Sequence, residues 1–317
     1  MYEFKPMKRL HILPVLLWVL LLFNAGCNTT DTPSSAGDKP YIVCTTSMIA
    51  DALRNISGDR AEVIALMSPG VDPHLYTPVH SDIKKLSNAT IIFHNGLHLE
   101  GRMADMLKKL SRTKTVIAFS DGIPKSSIRG EEGSVAKDPH IWHDVQLWSR
   151  AVQYAGKSLA EKYPENAEHY IQATKTYTDT LKSLHEWIKE EIRKIPEKQR
   201  ILITAHDAFS YFGKAYDIRV EGIQGMSTIS EAGLKRVTGL CDLIIANNIP
   251  AVFPESAVPQ GTVKSIVENC KEKGHSITLA YPLYADALGE QGTGAETYVD
   301  MIRKNVNTIV TGLAASK

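Results

Sequence analysis

The sequence predicts an α/β fold built from two runs of alternating strand and helix. Three observations predict it. Short aliphatic or β-branched runs alternate with helical patterns from Tyr41 to Ala118, and the same rhythm returns after residue 199. Between them, apolar residues recur at steps of three and four from Ala167 to Ile192, the spacing of one helix face. At 317 residues the chain exceeds one ordinary domain, which favours two.

In the first run, Tyr41-Ile42-Val43-Cys44-Thr45-Thr46 reads as a buried strand followed by a helix through Ile49, Leu53 and Ile56. Glu62 to Leu66, Thr90 to Phe93 and Lys114 to Ala118 are the next strands, separated by helices containing Ile83 and Leu86 and then Met103, Leu107 and Leu110. Such alternation argues for a parallel sheet covered on both faces. In the second run the strands are Ile201 to Thr204, Arg219 to Ile223, Ala251 to Phe253 and Ser276 to Leu279. Helices contain Leu234, Val237, Leu240 and Ile244, then Val263, Ile266 and Val267, and a last one runs from Tyr298 to Leu313.

The intervening helix carries Ala167, Tyr170, Ile171, Thr174, Tyr177, Leu181, Leu184, Ile188 and Ile192 on one stripe, with Pro164 at its start and Pro196 past its end. From Ala167 to Lys194 it would span about 40 Å. That length suits a strut between two lobes, and equally one arm of a helical hairpin within a single domain. On the far face His169 and His185 are expected in solvent.

Composition removes several classes of function. With 43% hydrophobic residues, and Lys+Arg 36 against Asp+Glu 35, the chain is neither disordered nor driven toward a polyanion. Four cysteines cannot make a disulfide scaffold. Cys241 and Cys270 lie in neighbouring segments, where a bridge and two buried thiols are both open readings; Cys44 stays unpaired in either.

Residues 1–26 read as a secretory leader. Lys5, Lys8 and Arg9 precede 12 uncharged residues from Ile12 to Phe23, too few for a bilayer span of about 20 but suited to a signal peptide. Asn24-Ala25-Gly26-Cys27 resembles the lipobox of bacterial lipoproteins, which implies lipidation of Cys27. Asn24 stands where that pattern prefers an aliphatic residue, and cleavage with an unmodified Cys27 is the alternative. Losing three basic residues and one acidic one moves the formal charge from +1 to −1. Asn28 to Lys39, rich in Thr, Ser, Pro and Gly, reads as a tether.

Three of the 11 histidines stand apart. His74 ends Asp72-Pro73-His74 after the second strand. His140 lies in Asp138-Pro139-His140-Ile141-Trp142-His143-Asp144. His206 follows the strand from Ile201 to Thr204. Open α/β sheets place their sites in the loops at strand ends, and neutral imidazole is a good zinc ligand. Asp286, after the last strand, supplies a carboxylate to complete such a site, with Glu255 as its competitor.

These motifs, with Asn95-Gly96-Leu97-His98-Leu99-Glu100 and Tyr284-Ala285-Asp286-Ala287-Leu288-Gly289, resemble the bacterial solute-binding proteins of zinc and manganese ABC importers, the TroA-like family, from Tyr41 to Leu313. The resemblance implies two α/β lobes, each a mainly parallel sheet flanked by helices, joined by one long rigid spine helix. It implies His74, His140, His206 and Asp286 as metal ligands. Glu100, His143 and Glu255 are possible partners of those ligands, Asp144, Asp138 and Glu100 are read as such partners or as helix caps, and surface packing is the favoured reading of His143. The expected domains are the signal peptide 1–26, lipidated tether 27–39, N-terminal lobe 40–165, spine 166–197 and C-terminal lobe 198–317.

The resemblance further implies an exported monomer without catalysis, lipid-anchored at the outer face of the cell membrane or periplasmic. It would deliver one divalent ion to a membrane permease with a cytoplasmic ATPase. Some manganese-type relatives carry Glu at the position of His206, and three histidines with one aspartate favour Zn²⁺ on ligand softness, with Mn²⁺ close behind and iron open. Alternatives are an exported zinc hydrolase with Glu255 as base, or a surface adhesin. No H-E-x-x-H or G-x-S-x-G segment supports the hydrolase.

Overall fold

The computed structural model describes residues 1–3, 39–130, 136–229 and 233–314. The leader core, Cys27 and the tether up to residue 38 lie outside the described residues. The chain divides into two units, Met1–Lys39 and Pro40–Lys317, and the second carries every element below.

Its first half is a four-stranded parallel sheet. Strands β1 (Tyr41–Cys44), β2 (Glu62–Ala65), β3 (Ile91–His94) and β4 (Thr115–Ala118) lie in the order β2-β1-β3-β4. Parallel neighbours need crossovers, here helices α1 (Ser47–Ser57), α2 (His80–Asn88) and α3 (Ala104–Leu110). Helix α1 begins where the Thr46 hydroxyl accepts the Ile49 N–H, and its apolar face packs into the core through Met48, Ile49, Leu53 and Ile56. A short 3₁₀ turn, Ile141–His143, then leads into α4 (Val145–Lys162), capped by the Asp144 carboxylate on the N–H groups of Gln146 and Leu147. Of the two roles open to Asp144, the structure shows the helix cap.

Helix α5 (Ala167–Ile192) is the long helix, and it ends two residues before Lys194, where the Lys194 and Ile195 N–H groups bond carbonyls three residues back and close a tighter turn. Tyr170, Thr174, Tyr177, Leu181, Leu184, Ile188 and Ile192 are buried as the stripe predicts, but Ile171 is exposed. His185 departs in the opposite direction: it is buried and shares its Nδ1 with the Tyr216 hydroxyl at 3.0 Å. The helix packs on first-half helices and also on the chain's last helix, so its buried surface is wider than one narrow stripe.

The second half has β5 (Ile201–His206) parallel to β6 (Arg219–Gln224), and β7 (Ala251–Val252) parallel to β8 (Thr278–Leu279). A Thr204–Phe253 bridge connects the two pairs. Strands β7 and β8 are shorter than the sequence suggested, because Phe253 joins only by that bridge and Ser276 and Ile277 precede the ladder. Helices α6 (Ser210–Tyr216), α7 (Leu234–Ala246), α8 (Gly261–Glu272) and α9 (Tyr298–Leu313) flank them. No described helix is long and apolar enough to cross a membrane. The outcome is the expected α/β architecture, with parallel sheets flanked by helices and a long helix between the two halves of the chain.

Helices α4 and α5 approach closely at Gly156, where an added Cβ would lie 2.0 Å from the Thr174 hydroxyl oxygen. Gly156→Ala is expected to cost about 1–3 kcal/mol by overpacking. Gly239→Ala, in α7 with open space around it, should instead gain about 0.5–1 kcal/mol. Denaturant titration of both variants checks the pair; a stabilised Gly156→Ala protein would contradict the close approach.

Candidate metal centre

Four side chains from four separate loops or strand ends meet at one point. His74 follows β2, His140 precedes the 3₁₀ turn, His206 is the last residue of β5, and Asp286 follows β8. One donor atom from each lies within 4.8 Å of every other, and all four residues are buried.

Local chemistry aims each imidazole. In Asp72-Pro73-His74 the aspartate turns back to accept the His74 N–H at 2.8 Å, and in Asp138-Pro139-His140 it accepts the His140 N–H at 3.0 Å. Both are side-chain turns of the kind Asp forms two residues ahead of a backbone donor. Asp138 also takes the His140 ring Nδ1–H at 2.7 Å. Glu255 does the same work for His206, accepting its N–H at 3.0 Å and its Nδ1–H at 2.5 Å. With Nδ1 of His140 and His206 turned outward to these carboxylates, Nε2 of each faces the centre, the ring atom left for a metal ion.

The inner atoms form a small cage. Nε2 of His140 is 3.2 Å from Nε2 of His74 and 3.4 Å from that of His206. Asp286 places its oxygens 3.3 Å from His206, 3.5 Å from His140 and 3.9 Å from His74. A tetrahedron with metal–ligand bonds of about 2.0–2.1 Å has edges of about 3.3–3.4 Å, close to these spacings. Neither Asp286 oxygen receives a hydrogen bond. A buried carboxylate without donors is costly, and a dication among the donors removes that cost, so the donor set fits such an ion.

Charge is distributed unevenly. Burial alone would raise Asp286, but the His206, His140 and His74 imidazoles together hold it well below the usual carboxylate range. Burial pushes His74 down to about 4 against the pull of Asp286. Burial also opposes protonation of His206, yet the flanking Glu255 and Asp286 carboxylates overcome it and raise the group well above its ordinary value.

The loop carrying Asp286 is held from the other half of the molecule. Trp142 Nε1 and His143 Nε2 both reach the Ala285 carbonyl, at 2.7 and 2.9 Å. On the other side, Leu288 donates to the Ser47 hydroxyl and accepts from the Gly70 N–H. His143 therefore overturns the expectation of surface packing: it is fully buried against Phe209 and positions the loop beside Asp286. Nothing in the sequence marked Ser47 or the Ala285 carbonyl, since neither a serine at a helix start nor a backbone oxygen carries a signature.

Glu255 does not compete with Asp286; its carboxylate is engaged by His206. Glu100 sits one step further back, accepting from Thr45 Oγ1 and the Asn95 N–H while Asn95 Nδ2 bonds the Pro139 carbonyl next to His140. From the second half of the chain, Thr228 Oγ1 donates to the second Asp72 oxygen at 2.6 Å, a contact the sequence did not suggest.

A family model described as ZnuA, zinc-uptake complex component A, periplasmic, matches residues 42–312. The chain is 43% identical to the manganese-binding lipoprotein MntA of Bacillus subtilis (strain 168), covering 91% of this chain and 94% of that one. It is 39% identical to the zinc-binding protein TroA of Treponema pallidum (strain Nichols), covering 89% and 91% respectively. The solved structure of the periplasmic zinc-binding protein TroA from Treponema pallidum superposes with a TM-score of 0.85 at 39% identity, over 88% of this chain and 100% of that one.

His206 is raised by the flanking Glu255 and Asp286 carboxylates, so a cation entering the cage must displace the proton that it carries. Binding at pH 7 is therefore expected to release about one proton per ion. Calorimetric titration in buffers of different ionisation enthalpy measures it, and a heat independent of buffer would contradict the charge assignment.

Proposed function

The chain belongs to the family of the periplasmic zinc-uptake complex component A, and from that premise we propose that it captures one divalent transition-metal ion between its lobes for an ABC importer. His74, His140, His206 and Asp286 are the proposed ligands. The observation that carries this reading is the cage itself: three Nε2 atoms and a hydrogen-bond-free carboxylate around one point. The ion is cargo, passed to a membrane permease driven by a cytoplasmic ATPase.

The same side chains can serve either metal of the relatives. Through one Asp286 oxygen they give N₃O, a closed tetrahedron suited to Zn²⁺. Through both oxygens they give N₃O₂, closer to the oxygen-richer preference of Mn²⁺. Zinc is favoured because three imidazoles dominate the set, and manganese follows closely. MntA and TroA carry one metal each in their names.

A hydrolase would need an open position for water and a free base. Four protein donors fill a tetrahedral ion, and Glu255 is engaged by His206, which supports a carrier without catalysis. The leader and lipobox pattern support export with a lipid on Cys27. Lobes at 40–165 and 198–317 with a spine at 166–197, acting as a monomer, complete the reading.

His206→Ala and Asp286→Ala are each expected to weaken Zn²⁺ binding at least a hundredfold, measured by competition against a chromogenic chelator. A thousandfold excess of metal over Kd should stabilise the unaltered protein by about 4 kcal/mol. Retention of affinity within threefold in both variants would remove the proposed site.

A further inference from the structure

Cys241 lies in α7 and Cys270 in α8, two helices packed side by side, and both side chains are fully buried. Their Sγ atoms are 2.9 Å apart. That separation is closer than two unbonded sulfurs normally rest, and within about an ångström of the ~2.05 Å of a disulfide. Cys44, in β1, is buried in the first half of the chain. The sulfurs are therefore brought together as a specific pair.

We propose that Cys241 and Cys270 form a structural disulfide that staples α7 to α8. The two residues are 29 positions apart, and the loop they would close contains β7 and Glu255. Cross-linking a loop of that length constrains the unfolded chain. Neither cysteine belongs to the metal cage, so the bond stands or falls separately from the metal reading.

The oxidant is a disulfide, carried by a thiol–disulfide oxidoreductase or a small molecule. One cysteine thiolate attacks it, the carrier S–S bond breaks, and a mixed disulfide forms as one carrier thiolate leaves. The second cysteine thiolate attacks the protein-side sulfur and expels the other carrier thiolate. The two cysteines lose two electrons to the carrier, whose two thiols take up the two protons. Burial pushes the Cys270 thiol up to about 12, and thiolate is the attacking species. Exchange therefore belongs to folding, before α7 and α8 close, and the finished bond is shielded from outside thiols.

The test takes the full chain from the envelope of cells that make it, without reductant, and alkylates it with iodoacetamide under denaturing conditions. Peptide mass mapping is expected to find Cys44 alkylated, and Cys241 joined to Cys270 in a species about 2 Da lighter than the two thiol peptides. After dithiothreitol all three should alkylate. The Cys241→Ala/Cys270→Ala protein should melt about 5–10 °C lower while its Zn²⁺ affinity stays within threefold. Alkylation of both residues before reduction would overturn the bond, and an unchanged melting temperature would overturn its structural role.

Discussion

A carboxylate buried without a single hydrogen-bond donor is the constraint on which the rest of this structure turns. Asp286 is almost wholly buried, and its oxygens face only imidazole nitrogens at 3.3 to 3.9 Å. Left to itself, such a group would be unstable in its charged form. It stays charged because three imidazoles surround it, and the most strongly held proton among them sits on His206. A dication held by all four groups would do the same job better. The centre is therefore stable enough to fold and ready to exchange a proton for a metal ion.

That readiness depends on groups that never touch the centre. Asp138 and Glu255 hold the outer ring nitrogens of His140 and His206, and Asp72 holds the backbone of His74. Trp142 and His143 grip the Ala285 carbonyl, while Ser47 and Gly70 hold Leu288. The loop bearing Asp286 is thus clamped on both sides by residues from the first half of the chain. The Thr228–Asp72 bond adds a further link between the two halves of the chain.

Much of this was legible in the sequence, for local reasons. The strand–helix rhythm follows from side-chain periodicity. The two Asp-Pro-His segments mark turns whose aspartate binds the backbone two residues on, so their role is written within three residues. What escaped was non-local. His185 and His143 looked solvent-facing by position, yet tertiary packing buries both, one on Tyr216 and the other on Phe209. The Ala285 carbonyl could not be found because a backbone oxygen has no sequence signal, and β7 and β8 shortened because their ladder depends on neighbours far along the chain. Glu255 was seen as a rival ligand, since nothing in sequence tells a carboxylate that binds an ion from one that binds the ligand's other nitrogen.

The central claim is that one ion sits among three imidazoles and one carboxylate, and X-ray absorption spectroscopy of the zinc-loaded full chain tests it most directly. A first shell of four nitrogen or oxygen donors at about 2.0–2.1 Å is expected, with outer-shell scattering from three imidazole rings. A sulfur donor in the first shell, or scattering from fewer than two imidazoles, would contradict it.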